Sequence, residues 1–277
     1  MNSQQISSYL ERFRGTELKS AIMEELSNLK RTAVWQGDQK EAKRIWCLEQ
    51  VFKVINHYLT AYRYLLNSDY FKAWCELDRA DIELYFLHAH LDYSENKYNL
   101  EFIEKNINQL QKLFPYEYFA SRESTINKWS CSICNQVITP RNSCSHEVGE
   151  IYNGEMCSRV AGDIEFHGIA IVKNPFDKYT VLFPEGKEYN YSMLENLMKN
   201  WTSPYDKWEL QIRRDLNDEY KELGRNEPCL CKSGKKYKRC CLITGKDRHD
   251  HFKLFFLKKD PKKLNLGEKL KFNTWKN

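Results

Sequence analysis

No run of this 277-residue chain approaches the ~18 consecutive apolar residues that a membrane span requires, and mean hydropathy is low at −0.71. The N-terminal MNSQQISSYLERFRG has no apolar stretch of the kind a secretory signal peptide carries. Both absences lead to the expectation of a soluble, cytoplasmic protein without a membrane span. Enzyme signatures are missing as well: there is no P-loop, no GxGxxG, no HExxH and no GxSxG. Their absence turns the reading away from an enzyme. Glycine and proline are few, 11 and 7, so long uninterrupted elements have room to form. Internal repeats and low-complexity segments are absent too.

Cysteine, by contrast, is plentiful. Of the ten, eight fall into two clusters with the spacing of metal ligands, which suits intracellular metal binding better than a secreted disulfide framework. The other two, Cys47 and Cys75, lie within helical apolar patterns and read as small core residues.

The fold expected is mainly α. Residues 1–125 carry apolar stripes at helical spacing. The clearest runs Ile45, Leu48, Phe52, Ile55, Leu59, Tyr62, Leu66 and predicts a helix over 39–66. Asn67-Ser68-Asp69 then provides a turn and a cap before a helix through Ala73, Leu77, Ala80, Leu84, Leu87 and Leu91. Further stripes run from Leu100 to Phe114 and from Leu18 to Ala33. Short connections make this an N-terminal bundle of about four helices. Asp81 and His88 share one side of a helix, and His88, His90 and Asp92 form a polar cluster. Neither has a nucleophile or a spaced carboxylate that would make an acid–base site.

At Trp129 the character changes, opening a segment expected over 126–202. Cys131-x2-Cys134, Cys144-x-His146 and Cys157 offer five ligands for four positions around a zinc ion. Cys131, Cys134, Cys144 and His146 are the favoured set, with Cys157 a close rival to Cys144 or His146. Residues 163–172 and 178–183 read as a small β-hairpin beside this zinc knuckle, and 191–200 as a short helix. Ser203-Pro204 reads as the start of a C-terminal helix through Tyr205, Trp208, Ile212, Leu216 and Tyr220, ending at Gly224 and delivering the second cluster, in a segment 203–245.

That cluster lies in GRNEPCLCKSGKKYKRCCL, residues 224–242. Cys229, Cys231, Cys240 and Cys241 crowd onto about a dozen residues and suit one tetrahedral, structural zinc ion. Lys232, Lys235, Lys236, Lys238 and Arg239 stand among them with Tyr237, forming the expected partner-binding surface. The stretch resembles the SEC-C motif, whose common form reads GRNDPCPCGSGKKYKKCC. That module is similar to the one closing the bacterial preprotein translocase motor ATPase, and the resemblance implies zinc binding and recognition of export chaperones, ribosomes or acidic surfaces. Lys232 stands where the common form has glycine, a residue that takes φ > 0 at low cost.

Residues 225–277, including a basic C-terminal segment 246–277, hold 16 Lys and Arg against 5 Asp and Glu; residues 1–224 hold 27 against 33. A mildly acidic body thus carries a basic end, which favours an acidic protein, chaperone or ribosomal partner. The function expected is a non-enzymatic, two-zinc interaction protein. The alternative is a nucleic-acid-binding zinc protein, in phage defence for example, with Tyr237, Phe252, Phe255, Phe256 and Trp275 interleaved among lysines for base stacking. An enzyme centred on the bundle ranks behind both.

Overall fold

The structure, a computed structural model, describes residues 1–256, 265–266, 270–271 and 273–276. Among them, about 40 % are helical, in seven α-helices and three single turns of 3-10 helix, alongside small antiparallel sheets. The chain forms two compact units, Met1–Gly186 and Lys187–Asn277.

The first unit opens with five helices: α1 (Ser3–Arg12), α2 (Ala21–Trp35), α3 (Gln39–Leu66), α4 (Tyr70–His88) and α5 (Leu100–Gln111). α1 escapes the stripe pattern, yet Asn2 and Gln5 form a reciprocal capping box that starts it, and Ile6 and Leu10 are fully buried. Asp38 caps α3 by accepting from the Glu41 amide at 2.9 Å. The expected stripe of α3 is buried from Ile45 to Tyr62, and only its last member, Leu66, is exposed. α3 is the central helix, packed against α2 and α4.

Two long strands follow, β1 (Phe119–Cys131) and, after a cysteine-rich excursion, β5 (Arg159–Val172), paired antiparallel along their whole length. Within the excursion lie β2 (Val137–Ile138), which pairs with β1, and the two-residue strands β3 (Ile151–Tyr152) and β4 (Glu155–Met156). The expected hairpin of 163–172 with 178–183 is therefore corrected: β5 pairs with β1, and 178–183 adds only a bridge from Val181 to Phe119. Side chains hold that segment on the helices instead. Trp74 Nε1–H donates to the Lys178 carbonyl at 2.6 Å, and Lys178 Nζ reaches Asp81 at 2.5 Å and Gln111 at 3.1 Å.

In the second unit, α6 (Ser192–Met198) buries Met193, Leu194 and Leu197, as its sequence predicts. The helix expected over 203–223 is not formed. Ser203-Pro204 belongs to a turn whose amides at Thr202 and Ser203 donate to Asp206, and β6 (Trp208–Leu216) follows. Positions 208, 212 and 216 are four apart, so they share one side of a strand as readily as of a helix. A short helix α7 (Cys241–Thr244) precedes β7 (Arg248–Phe256). β7 is central, pairing with β6 on one edge and with β8 (Asn265–Leu266) and β9 (Leu270–Lys271) on the other. Trp201, Trp208, Leu254 and Phe256 are buried in this unit. Most of the expected basic C-terminal segment beyond Phe256 lies outside the described residues.

Candidate metal centres

The first cluster sits at the far end of the β1–β5 ribbon. Cys131 ends β1, and Cys134 follows through a tight turn in which the Asn135 amide donates to the Cys131 carbonyl at 2.9 Å. Asn135 takes φ 60°, which asparagine tolerates better than most residues. The excursion brings Cys144 and His146 back, so that ligand atoms of Cys131, Cys134, Cys144 and His146 all lie within 4.8 Å of one another. His146 Nδ1 is buried with no hydrogen-bond partner among the described residues, the condition in which a metal-facing nitrogen is found when the metal is left out. Cys157, the fifth candidate, is buried with its sulfur 3.8 Å from that of Cys131 but lies outside the mutual group. Burial pushes the Cys157 thiol up, whereas amide hydrogen bonds from Cys134 and Ile133 hold Cys131 well below the usual thiol range.

Residues that the sequence left without a role brace this cluster. Lys30 on α2 reaches both Glu49 on α3, at 2.7 Å, and Glu155 on β4, at 2.9 Å. Gln39 and Asn153 exchange two hydrogen bonds, at 2.6 and 2.9 Å. His90 packs edge-on against Trp46 and bonds the Gly149 carbonyl at 2.8 Å. Contacts between residues more than fifty positions apart leave no trace in local periodicity. Of the polar residues on α4, Asp81 is paired with Lys178, and His88 packs against Tyr93.

The second cluster occupies the connection between β6 and β7. The strands pair up to Leu216 and Arg248, and the Asn217 amide closes the base on the Asp247 carbonyl at 2.7 Å. Inside the loop Tyr220, Cys229, Tyr237 and Cys241 are buried together. Cys229, Cys231, Cys240 and Cys241 hold their sulfurs within 4.8 Å of one another, and Cys231 and Cys240 approach to 3.4 Å. A tetrahedron of ~2.3 Å zinc–sulfur bonds has edges of about 3.8 Å, so small shifts would close either cluster on one ion. The Ser233 hydroxyl and neighbouring thiols hold Cys231 down, while burial pushes Cys241 up. Tyr237 is a correction to the expected partner surface: it is only 4 % exposed, with its hydroxyl donating to the buried Asp247 at 2.5 Å. That bond pushes its own ionisation up to about 12.

Backbone conformation settles the remaining question of this loop. Lys232 adopts φ 60° and Gly234 φ 72°, so the lysine takes the left-handed turn for which the usual residue is glycine. Residues 225–242 are a SEC-C motif. The SEC-C motif is a zinc-binding one, and both cysteine-rich clusters could bind metal ions. The chain is similar to two UPF0225 proteins of Vibrio vulnificus. It is 35 % identical to the one from strain CMCP6 over 75 residues, 24 % of this chain and 45 % of the relative. It is 30 % identical to the one from strain YJ016 over 95 residues, 31 % of this chain and 53 % of the relative. The chain therefore spans about half the length of these curated relatives. No solved structure matches it.

The strain at Lys232 is testable. Lys232→Gly is expected to stabilise the metal-loaded SEC-C loop by up to about 1 kcal/mol, seen as tighter zinc retention in chelator competition. Unchanged or weaker retention would mean the lysine sits there without strain.

Proposed function

We propose that this chain is a non-enzymatic zinc protein in which the SEC-C loop presents a rigid basic surface to an acidic protein partner, such as a chaperone or a ribosomal protein. Cys229, Cys231, Cys240 and Cys241 would hold one structural zinc ion, and Cys131, Cys134, Cys144 and His146 a second. Zinc supplies cross-linking here, and four protein ligands at each centre leave no open position for chemistry. The observation that carries the reading is the state of the cations: Lys232, Lys235, Lys236 and Arg239 are exposed, Lys238 half-buried, and none makes an ion pair among the described residues. Charges held ready in this way act over a Debye length and set encounter rates and salt sensitivity.

Base stacking, which the nucleic-acid reading requires, finds little support in the side chains. Tyr237, Phe252 and Phe256 are buried, and Trp275 stacks on Tyr189 at 4.6 Å. Affinity capture with nuclease-treated extract tests the choice. Partners are expected to survive nuclease, to weaken with salt, and to be lost when Lys235, Lys236 and Arg239 are all changed to Glu, with zinc content unchanged. Loss of every partner on nuclease treatment would instead favour nucleic acid.

A further inference from the structure

We propose that one face of the β1–β5 ribbon is a docking surface for an acidic amphipathic helix of another protein, separate from the SEC-C surface. The register puts Ile171, Ile169, Phe166, Ile164 and Val160 of β5 opposite Ala120, Arg122, Ser124, Ile126 and Ser130 of β1, and cross-strand partners share a face. By simple alternation residues 164 and 166 would point away from 169 and 171. The bulge between Glu123 and Ser124, with His167 as the extra residue, reverses the phase and lines all five up. His167 Nε2 and the Thr125 hydroxyl meet at 2.7 Å, fixing the bulge to the opposite face.

The polarity of the ribbon is reversed from that of an ordinary half-buried sheet. The face that carries the buried Phe119 and Cys131 and, at its two ends, Val172 and Trp129 holds Ser121, Glu123, Thr125 and Glu165 between them. The exposed large apolar residues are on the other side, where Ile164, Phe166, Ile169 and Ile171 are 60, 58, 68 and 70 % exposed. Antiparallel sheets normally put the apolar face on the core and the polar one in water. A two-stranded ribbon left open is marginal in water, and an apolar stripe on the order of 500 Å² is at the upper end of what monomers expose without a binding role. No described residue covers it.

Charge selects the occupant. The face bears Arg122 and Lys128, no acid, and no ion pair for either cation among the described residues. A second copy packed face to face about a two-fold axis through the middle of the ribbon would bring Arg122 against Lys128 of its mate. Like charges at that spacing oppose a homodimer. The stripe is one strand wide and roughly 35 Å long, which fits a single rod of about 24 helical residues better than the broad plane of a bilayer. A helix with an apolar seam and glutamates along its flank satisfies both rows at once.

The test uses zinc-loaded, full-length protein and a fluorescent model peptide of about 24 residues, with leucines at helical seam positions and flanking glutamates. Controls are the same composition in scrambled order and the same seam with lysines for glutamates. The acidic, ordered peptide is expected to bind about tenfold or more tightly than either control. Phe166→Ser with Ile169→Ser, and separately Arg122→Glu with Lys128→Glu, are each expected to weaken it about tenfold, with zinc content and helicity unchanged. The second pair leaves the apolar stripe intact, so it separates recognition from any folding defect. Equal binding of the scrambled peptide, or undiminished binding by both variants, would overturn the proposal. So would retention on anionic vesicles, or self-association at micromolar concentration, that these same substitutions abolish.

Discussion

Full-length protein purified without added metal is expected to carry two zinc ions per chain, and Cys231→Ser or Cys134→Ser to carry one. The expectation follows from two groups of four ligands, each converged within 4.8 Å on separate parts of the chain. On the proposed reading the SEC-C loop depends energetically on its ion. Its interior is four buried residues, two of them cysteines, far short of a core that could offset the backbone entropy of thirty ordered positions. Structural zinc contributes on the order of 10–16 kcal/mol in small finger peptides, the largest single term available here. Chelation should therefore release the loop between Asn217 and Asp247 while the helical signal of α1–α5 largely persists. Elemental analysis giving one zinc or none for the unaltered chain would falsify the two-centre reading.

A second large effect is expected at Trp74. Its ring lies 5.1 Å from Phe114, 5.2 Å from Tyr116 and 6.3 Å from Phe119, and its indole N–H holds the Lys178 carbonyl. One side chain of α4 thus joins the end of α5, the start of β1 and the segment after β5. Trp74→Ala is expected to cost about 3–5 kcal/mol and Trp74→Phe, which keeps most of the packing, about 1–2 kcal/mol. Urea titration followed by far-UV circular dichroism measures both. A loss below about 1 kcal/mol for Trp74→Ala would show that the strand's start is not docked on the bundle.

What could be read from the chain alone follows the range of the interactions. α3, α4 and α5 were legible because a helix buries residues three and four apart, and that rhythm is written locally. Both cysteine clusters were legible because their ligand-like spacings fall within short stretches of chain. The β1–β5 ribbon was half legible: 163–172 read as a strand, but its partner, residues 119–131, is mostly polar and carries no apolar alternation to announce it, so the pairing was given to 178–183. β6 was mistaken for a helix because a spacing of four serves both periods, and the alternation of Leu210 with its neighbours was outweighed by Ser203-Pro204. Tyr237 was misassigned because a residue flanked by five cations looks solvent-facing until its partner, Asp247, is brought beneath it.

The pinched base at Asn217 and Asp247 makes the SEC-C loop a self-contained cassette. Chain enters and leaves it through adjacent positions, so β6 and β7 keep their pairing whatever is spliced between them. An antiparallel hairpin can carry such an insertion without repacking the interior of the unit that holds it, so the eighteen residues of the motif make few demands on the rest of the chain.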